Sequence, residues 1–265
     1  PSSNDTVFNF SSPLAYNQGF LKEFSIQTPA RLSIPYWLIK HPDEGMYIVD
    51  DQQLRGLPSD PPSITMQINL EVSGNSIILN TPVIYKAVDP AEGEITRPLS
   101  IIPPVTVESD DEVLVFGHKQ PRQIRLTLTA AMDSIQGQLH LHTSKAEWKI
   151  SPPMIEWSFD KAGESRVVEC TVTPPDNTSK ADLLPEITAG QQSYHHKITT
   201  IDYEHLPYMS VVRDAVVHLQ SLDIKTTPRP IAYIQGAGDD VPAALEQIGY
   251  KVTTLDAASI TSSSL

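Results

Sequence analysis

Cysteine is nearly absent from these 265 residues, glycine is sparse, and positive charge is outnumbered. The single cysteine, Cys170, excludes an internal disulfide framework. It falls in the strand-like run Val167-Val168-Glu169-Cys170-Thr171-Val172, with no helix N-terminus or basic partner beside it to favour the thiolate. Its expected role is therefore a small buried core thiol. Lys and Arg total 19 against 32 Asp and Glu, a net charge of −13. Such a surface repels phosphate, which argues against nucleic acid and anionic membranes as partners. No apolar run approaches the roughly 18 residues of a membrane helix, so no membrane insertion is expected. The polar start Pro1-Ser2-Ser3-Asn4-Asp5 is not a signal peptide; a mature or excised fragment would also begin this way, which leaves the compartment open.

Proline, by contrast, is abundant, at 23 residues against 12 glycines. Proline stops helices and sits at strand edges and turns, so the balance favours a β-rich, loop-rich chain. Ser63 to Val72 alternates apolar and polar residues with period two, the pattern of a strand with one wet face. Ser73-Gly74-Asn75-Ser76 supplies a turn and Ile77-Ile78-Leu79 a return strand, which predicts a hairpin. Val83 to Val88 predicts another strand, and Ile101-Ile102-Pro103-Pro104-Val105 a stiff extended crossing between modules. A second series follows: Ile124 to Ala130, Gly137 to His142, Trp148 to Ile150, Ile155 to Phe159, the Cys170 strand, and weaker strands ending near Thr200. Strands this short and this closely spaced predict an immunoglobulin-like sandwich.

After Asp202 the texture changes. Pro230 to Gln235 reads as a buried strand, Val241 to Ile248 as a helix with Pro242 in its tolerated first turn, and Lys251 to Leu255 as a second strand. The expected fold is mainly β: tandem sandwiches over 1–106 and 107–204, then a linker and the start of a truncated α/β domain over 205–265.

Several of these residues carry a resemblance. Pro35-Tyr36-Trp37-Leu38, Gly45-Met46-Tyr47, Gly56-Leu57-Pro58, Val83-Ile84-Tyr85-Lys86 and Arg97-Pro98-Leu99 through Pro103-Pro104-Val105 resemble the middle region of large LmbE-like proteins of Bacteroidetes, of the PIG-L, GlcNAc-phosphatidylinositol de-N-acetylase type. Glu147 to Pro152, followed by Cys170 to Pro175, is similar to the Ig-like domain associated with α-galactosidases. Tyr233 to Asp239, then Ile248-Gly249-Tyr250, resembles the opening of an amidotransferase-like domain in the same proteins. The resemblance implies a non-catalytic accessory region of an exported, multidomain bacterial protein acting on sugars. It also implies a periplasmic or extracellular location, with other domains of the same protein as partners and a metal-dependent deacetylase domain preceding this segment.

His41-Pro42-Asp43-Glu44 matches the zinc motif of those deacetylases, so a zinc enzyme using His41 and Asp43 is the rival reading. In that family a strand runs into the motif and a helix follows. Tyr36 to Ile39 offers the strand, but Gly45 to Asp51 reads as extended chain and turn. The motif is therefore treated as a decoy, with no cofactor expected. His140 and His142 flank Leu141 and point to one face of a strand, a spacing that can hold a metal if His118 or His195-His196 approaches. Glu108 to Glu112 could ligate calcium but lacks the EF-hand order, and a solvated acidic linker accounts for it. Gly236-Ala237-Gly238 ahead of a helix is a weak phosphate-loop pattern, with Asp239 and Asp240 where the anion should sit. No nucleophile elbow or paired-carboxylate groove is legible. Aromatic residues remain as recognition candidates. Trp148 and Trp157 lie in alternating strands and are expected in a core or interface. Tyr36, Trp37 and Tyr47 are the candidate carbohydrate-binding residues, with Tyr36-Trp37 expected at the surface. A purely structural or protein-interaction module is the third reading, since fold alone does not separate it from a glycan binder.

Overall fold

The computed structural model describes residues 6–10, 13–40, 42–91, 93–203, 205–206, 208–227, 229–236 and 238–256. Described residues before Thr65 contain no strand; they are turns and extended chain. β1 (Thr65–Val72) and β2 (Asn75–Pro82) pair antiparallel around Ser73 and Gly74, which both have positive φ (52° and 78°). Two positive values define the tight hairpin turn whose twist matches its strands. β3 (Ile84–Asp89) and β4 (Gly93–Pro98) form a second hairpin. The expected first sandwich is not formed by these elements. The two hairpins do not pair with each other, and neither holds a fully buried residue.

One sandwich follows. Its strands are β5 (Val105–Ser109), β6 (Val113–Phe116), β7 (Arg122–Ala130), β8 (Ile135–Thr143), β9 (Lys149–Ser151), β10 (Met154–Phe159), β11 (Ser165–Thr173), β12 (Ser179–Ala189), β13 (Gln192–Tyr194), and, past the hairpin described below, the later strand Val217–Ser221. One sheet runs β5-β7-β11-β9. Period-two alternation turns Ile124, Leu126, Leu128 and Ala130 of β7, and Val168, Cys170 and Val172 of β11, toward the other sheet. Leu139, Leu141, Trp157, Leu183 and Ile187 meet them from the opposing strands. Cys170 is buried among them, and desolvation pushes its thiol up to about 11, which leaves it inert as a nucleophile. Trp148 and Trp157 are core residues, as their alternation predicts.

β14 (His196–Ile201) and β15 (Met209–Asp214) form a hairpin beside β5. The chain then returns as β16 (Val217–Ser221), completing the order β10-β8-β12-β16-β6, with β13 on the far end of β12. β16 lies inside that sheet, antiparallel to β12 and parallel to β6, so the sandwich extends past the boundary expected at residue 204. Its five residues include a single Val-His-Leu-Gln-Ser alternation, too short to stand out in the sequence.

Two local devices make this sheet possible. Pro185 lies inside β12, where a missing N–H should break a ladder. The Asp182 N and O groups both face the β8 side, bonding Ser144, so odd-numbered groups face the other way. There Pro185 falls in the gap between the β16 pairing, which ends at Leu183, and the β13 pairing, which begins at Ile187. Gly137 of β8 stands opposite Trp157, and a Cβ on it would lie 1.8 Å from Thr188 O and 2.8 Å from the indole. Only glycine lets the three strands close there.

Beyond the sandwich, β17 (Ile231–Ile234) and β18 (Val252–Leu255) pair in parallel, with α1 (Val241–Gln247) between them. Pro242 occupies the first turn, as its lack of an N–H permits. The helix lies against the exposed edge of β6. Gln247 Oε1 accepts from Val115 N at 3.1 Å, while Arg122 donates to Val115 O at 3.2 Å. Both edge groups are thus satisfied by side chains, which blunts a sheet edge that would otherwise template pairing. No helix among the described residues is long and apolar enough to cross a membrane.

Candidate functional site

Ser33 pins the segment ahead of β1 to the entrance of the sandwich. Its amide donates to Ile101 O at 2.8 Å, and its Oγ accepts from Ile101 N at 2.7 Å and meets Ser63 Oγ at 2.8 Å. The chain then turns over Pro35 to Leu38, with Leu38 N donating to Pro35 O at 2.8 Å. Tyr36 to Ile39 is thus a turn and not the strand that a deacetylase motif would need. Tyr36 is tied down at both ends: its amide donates to Asp60 Oδ1 at 2.7 Å and its hydroxyl to Leu57 O at 3.0 Å. At 9% exposure it is a wall, not the surface residue expected. Burial pushes the Asp60 carboxyl above its usual range, partly offset by the Tyr36 amide and the Arg31 charge.

The Tyr36 ring meets Trp37 edge-on, with centroids 4.9 Å apart and planes at 89°. Trp37, half-buried, and Tyr47, 60% exposed, then line one cleft of about 580 Å³ with Val49, Arg55 and Gly56. The three aromatic residues singled out from the sequence therefore share one cavity wall. Arg55 was not legible there; it comes close because its guanidinium grips Val49 O at 2.9 and 2.6 Å. Gly56, with a φ of 83°, lets the chain turn behind it. The cleft combines apolar ring faces with a fixed cation and a phenol, the composition of a site for an amphipathic ligand.

The other candidates are dispersed. His41 lies outside the described residues. Asp43 pairs with Met46 across a turn in which Glu44 and Gly45 have positive φ, and no helix follows before β1. His140 and His142 stack parallel at 6.1 Å, and His142 lies 3.7 Å from Glu186. Two residues of the acidic run are paired with cations: Asp110 with Arg125 at 2.5 Å, and Glu112 with Lys197, which holds the Glu112 carboxyl below its usual range. Asp239 takes the place of an anion at the turn before α1. Its carboxylate accepts from Gly236 N at 3.0 Å, Val241 N at 3.3 Å and Tyr233 OH at 2.9 Å. Those bonds, the Gly236 amide foremost, lower its pKa and fill the space a phosphate would need.

From the sequence, His195-His196 or His118 could supply further ligands to His140 and His142. The structure brings His195 and His196 instead to Asp214, with all three potential ligand atoms within 4.8 Å of one another.

No family model matches the chain, and no curated protein does. Among solved structures it is similar to WR4, an MSP family member of C. elegans, at 9% identity over 44% of this chain and 98% of that one, with a TM-score of 0.28. It is likewise similar to SSP-19, an MSP-domain protein like family member of Caenorhabditis elegans, at 10% identity over 43% and 97%, with a TM-score of 0.26. E. coli alpha-2-macroglobulin in its native conformation matches at 11% identity over 57% of this chain and 9% of that one, with a TM-score of 0.30. Likenesses of this size carry no functional argument.

Proposed function

We propose that this chain is a non-catalytic accessory region of an exported bacterial protein that acts on sugars, and that the Trp37–Tyr47 cleft is where it meets glycan. The observation that carries this reading is the convergence of Tyr36, Trp37 and Tyr47 on one cleft beside Arg55. A pyranose presents an apolar C–H face that stacks on an aromatic ring, and hydroxyls that accept from a guanidinium or phenol. Tyr36 serves as the buried brace that orients Trp37; Trp37 and Tyr47 make contact. The resemblance to LmbE-like middle regions supports the same reading, with periplasmic or extracellular placement and the deacetylase chemistry residing in another domain.

Calorimetry with GlcNAc-containing saccharides tests it. Binding should weaken about tenfold, or about 1.4 kcal/mol, in Trp37→Ala and Tyr47→Ala. Absence of binding by the whole chain would reduce the region to a spacer or protein-interaction module. Glycan deacetylation abolished by His41→Ala would instead establish the zinc enzyme.

A further inference from the structure

The strand pair β14–β15 gathers His195, His196 and Asp214 at one end of a hairpin. His196 and Asp214 are register partners, so their side chains leave the same face side by side. On a regular strand His195 would point the opposite way. Here it occupies the break between β13 and β14, and its carbonyl accepts from Ala215 N at 2.7 Å, the next pair of the same antiparallel register. The two imidazoles nevertheless stack, with centroids 4.3 Å apart and planes at 24°. Nε2 of His195 lies 3.3 Å and Nε2 of His196 3.9 Å from the same Asp214 oxygen.

We propose that His195, His196 and Asp214 form a binding site for a divalent transition metal of the Zn²⁺ class. Four ligands at about 2.0–2.1 Å around a tetrahedral ion stand about 3.3–3.4 Å apart. The two imidazole–carboxylate separations lie close to that spacing, and a side-chain rotation brings the histidines together. Two imidazoles with one carboxylate suit zinc and its neighbours, not calcium or magnesium, and three protein ligands leave a position for water. Coordination needs neutral imidazole. The His196 side chain is 12% exposed, its Nδ1 is buried without a hydrogen-bond partner among the described residues, and burial first, then His195, depresses its basicity. His195 and Asp214 are both more than half exposed, which gives an ion a route in. The neighbouring cations Lys197 and Arg213 alternate to the other face of the hairpin, where Lys197 is engaged by Glu112.

Titration of the metal-free whole chain with Co²⁺, followed by its visible d–d absorption and by displacement with Zn²⁺, tests the site. One equivalent should bind and be displaced. Affinity should fall at least about tenfold in His195→Ala and in Asp214→Asn, the loss that even a supporting residue causes. His41→Ala and His142→Ala should leave it unchanged. Circular dichroism checks each variant's fold, and His195→Ala, altering an exposed link residue, decides alone if Asp214→Asn unfolds. No bound Co²⁺, unchanged affinity in His195→Ala, or loss in the His41 or His142 variant overturns the proposal.

Discussion

The hairpins over 65–98 and the sandwich over 105–221 share one alternating pattern of apolar and polar residues, yet only the second is buried. β1 places Met66, Ile68 and Leu70 on one face, opposite Leu79 and Ile77 of β2, an apolar stripe as regular as that of β7. In β7 the stripe is sealed, because β8, β12 and β16 present a second sheet against it. In the hairpin it has no facing sheet among the described residues, and Leu79 stays 48% exposed. Alternation therefore specifies a face and leaves its partner open. A two-stranded ribbon cannot bury that face by itself.

Truncation experiments should separate the two regions most widely in the core. Leu128→Ala should cost about 2–5 kcal/mol in urea unfolding, whereas Leu79→Ala should fall within about 0.5–1 kcal/mol. Equal costs would break the contrast and place a hidden partner sheet over the hairpin. Gly137→Ala asks how tightly the sandwich closes. With Thr188 O 1.8 Å from the new Cβ, we expect a loss of about 1–3 kcal/mol, while Gly19→Ala, with open space around it, should be near neutral.

A smaller effect follows from His196. Its folded pKa lies below the ordinary 6.5, so in the window between the two values the unfolded chain binds more protons. The metal-free chain should hold its full contribution above pH 6.5 and lose stability as pH falls through that window. His196→Gln should flatten this acid limb in a series of thermal melts. The smallest change is expected at the tie between hairpin and sandwich-side hairpin. Arg97 pairs with Asp202 at 2.8 Å and lies 4.3 Å over the Tyr208 ring. Arg97→Ala should cost less than about 1 kcal/mol, read as a shift in urea midpoint that shrinks at high salt for the ionic part.

Which parts were readable beforehand follows from the range of the forces. Hairpin turns, the Pro242 helix start and the core placement of Trp148, Trp157 and Cys170 depend on neighbours a few residues away or on simple period-two burial. The candidate cleft was partly readable. Trp37 and Tyr47 were visible as aromatic residues near turns, but the buried clamp on Tyr36 needs Leu57 and Asp60, and Arg55 enters through a bond to Val49. β16 was not readable, because five residues acquire strand character only from β12 and β6 on either side.

Local sequence sufficed to make the chain β-rich, acidic and free of disulfides, since proline content, charge and a lone cysteine act without regard to fold. Tertiary structure alone decided that a single sandwich closes among the described residues, that the edge of β6 is capped by Gln247 and Arg122, and that His195 and His196 gather at Asp214. Each of these rests on groups many residues apart, and a burial or ligand geometry exists only once the sheets have brought them within a few ångströms.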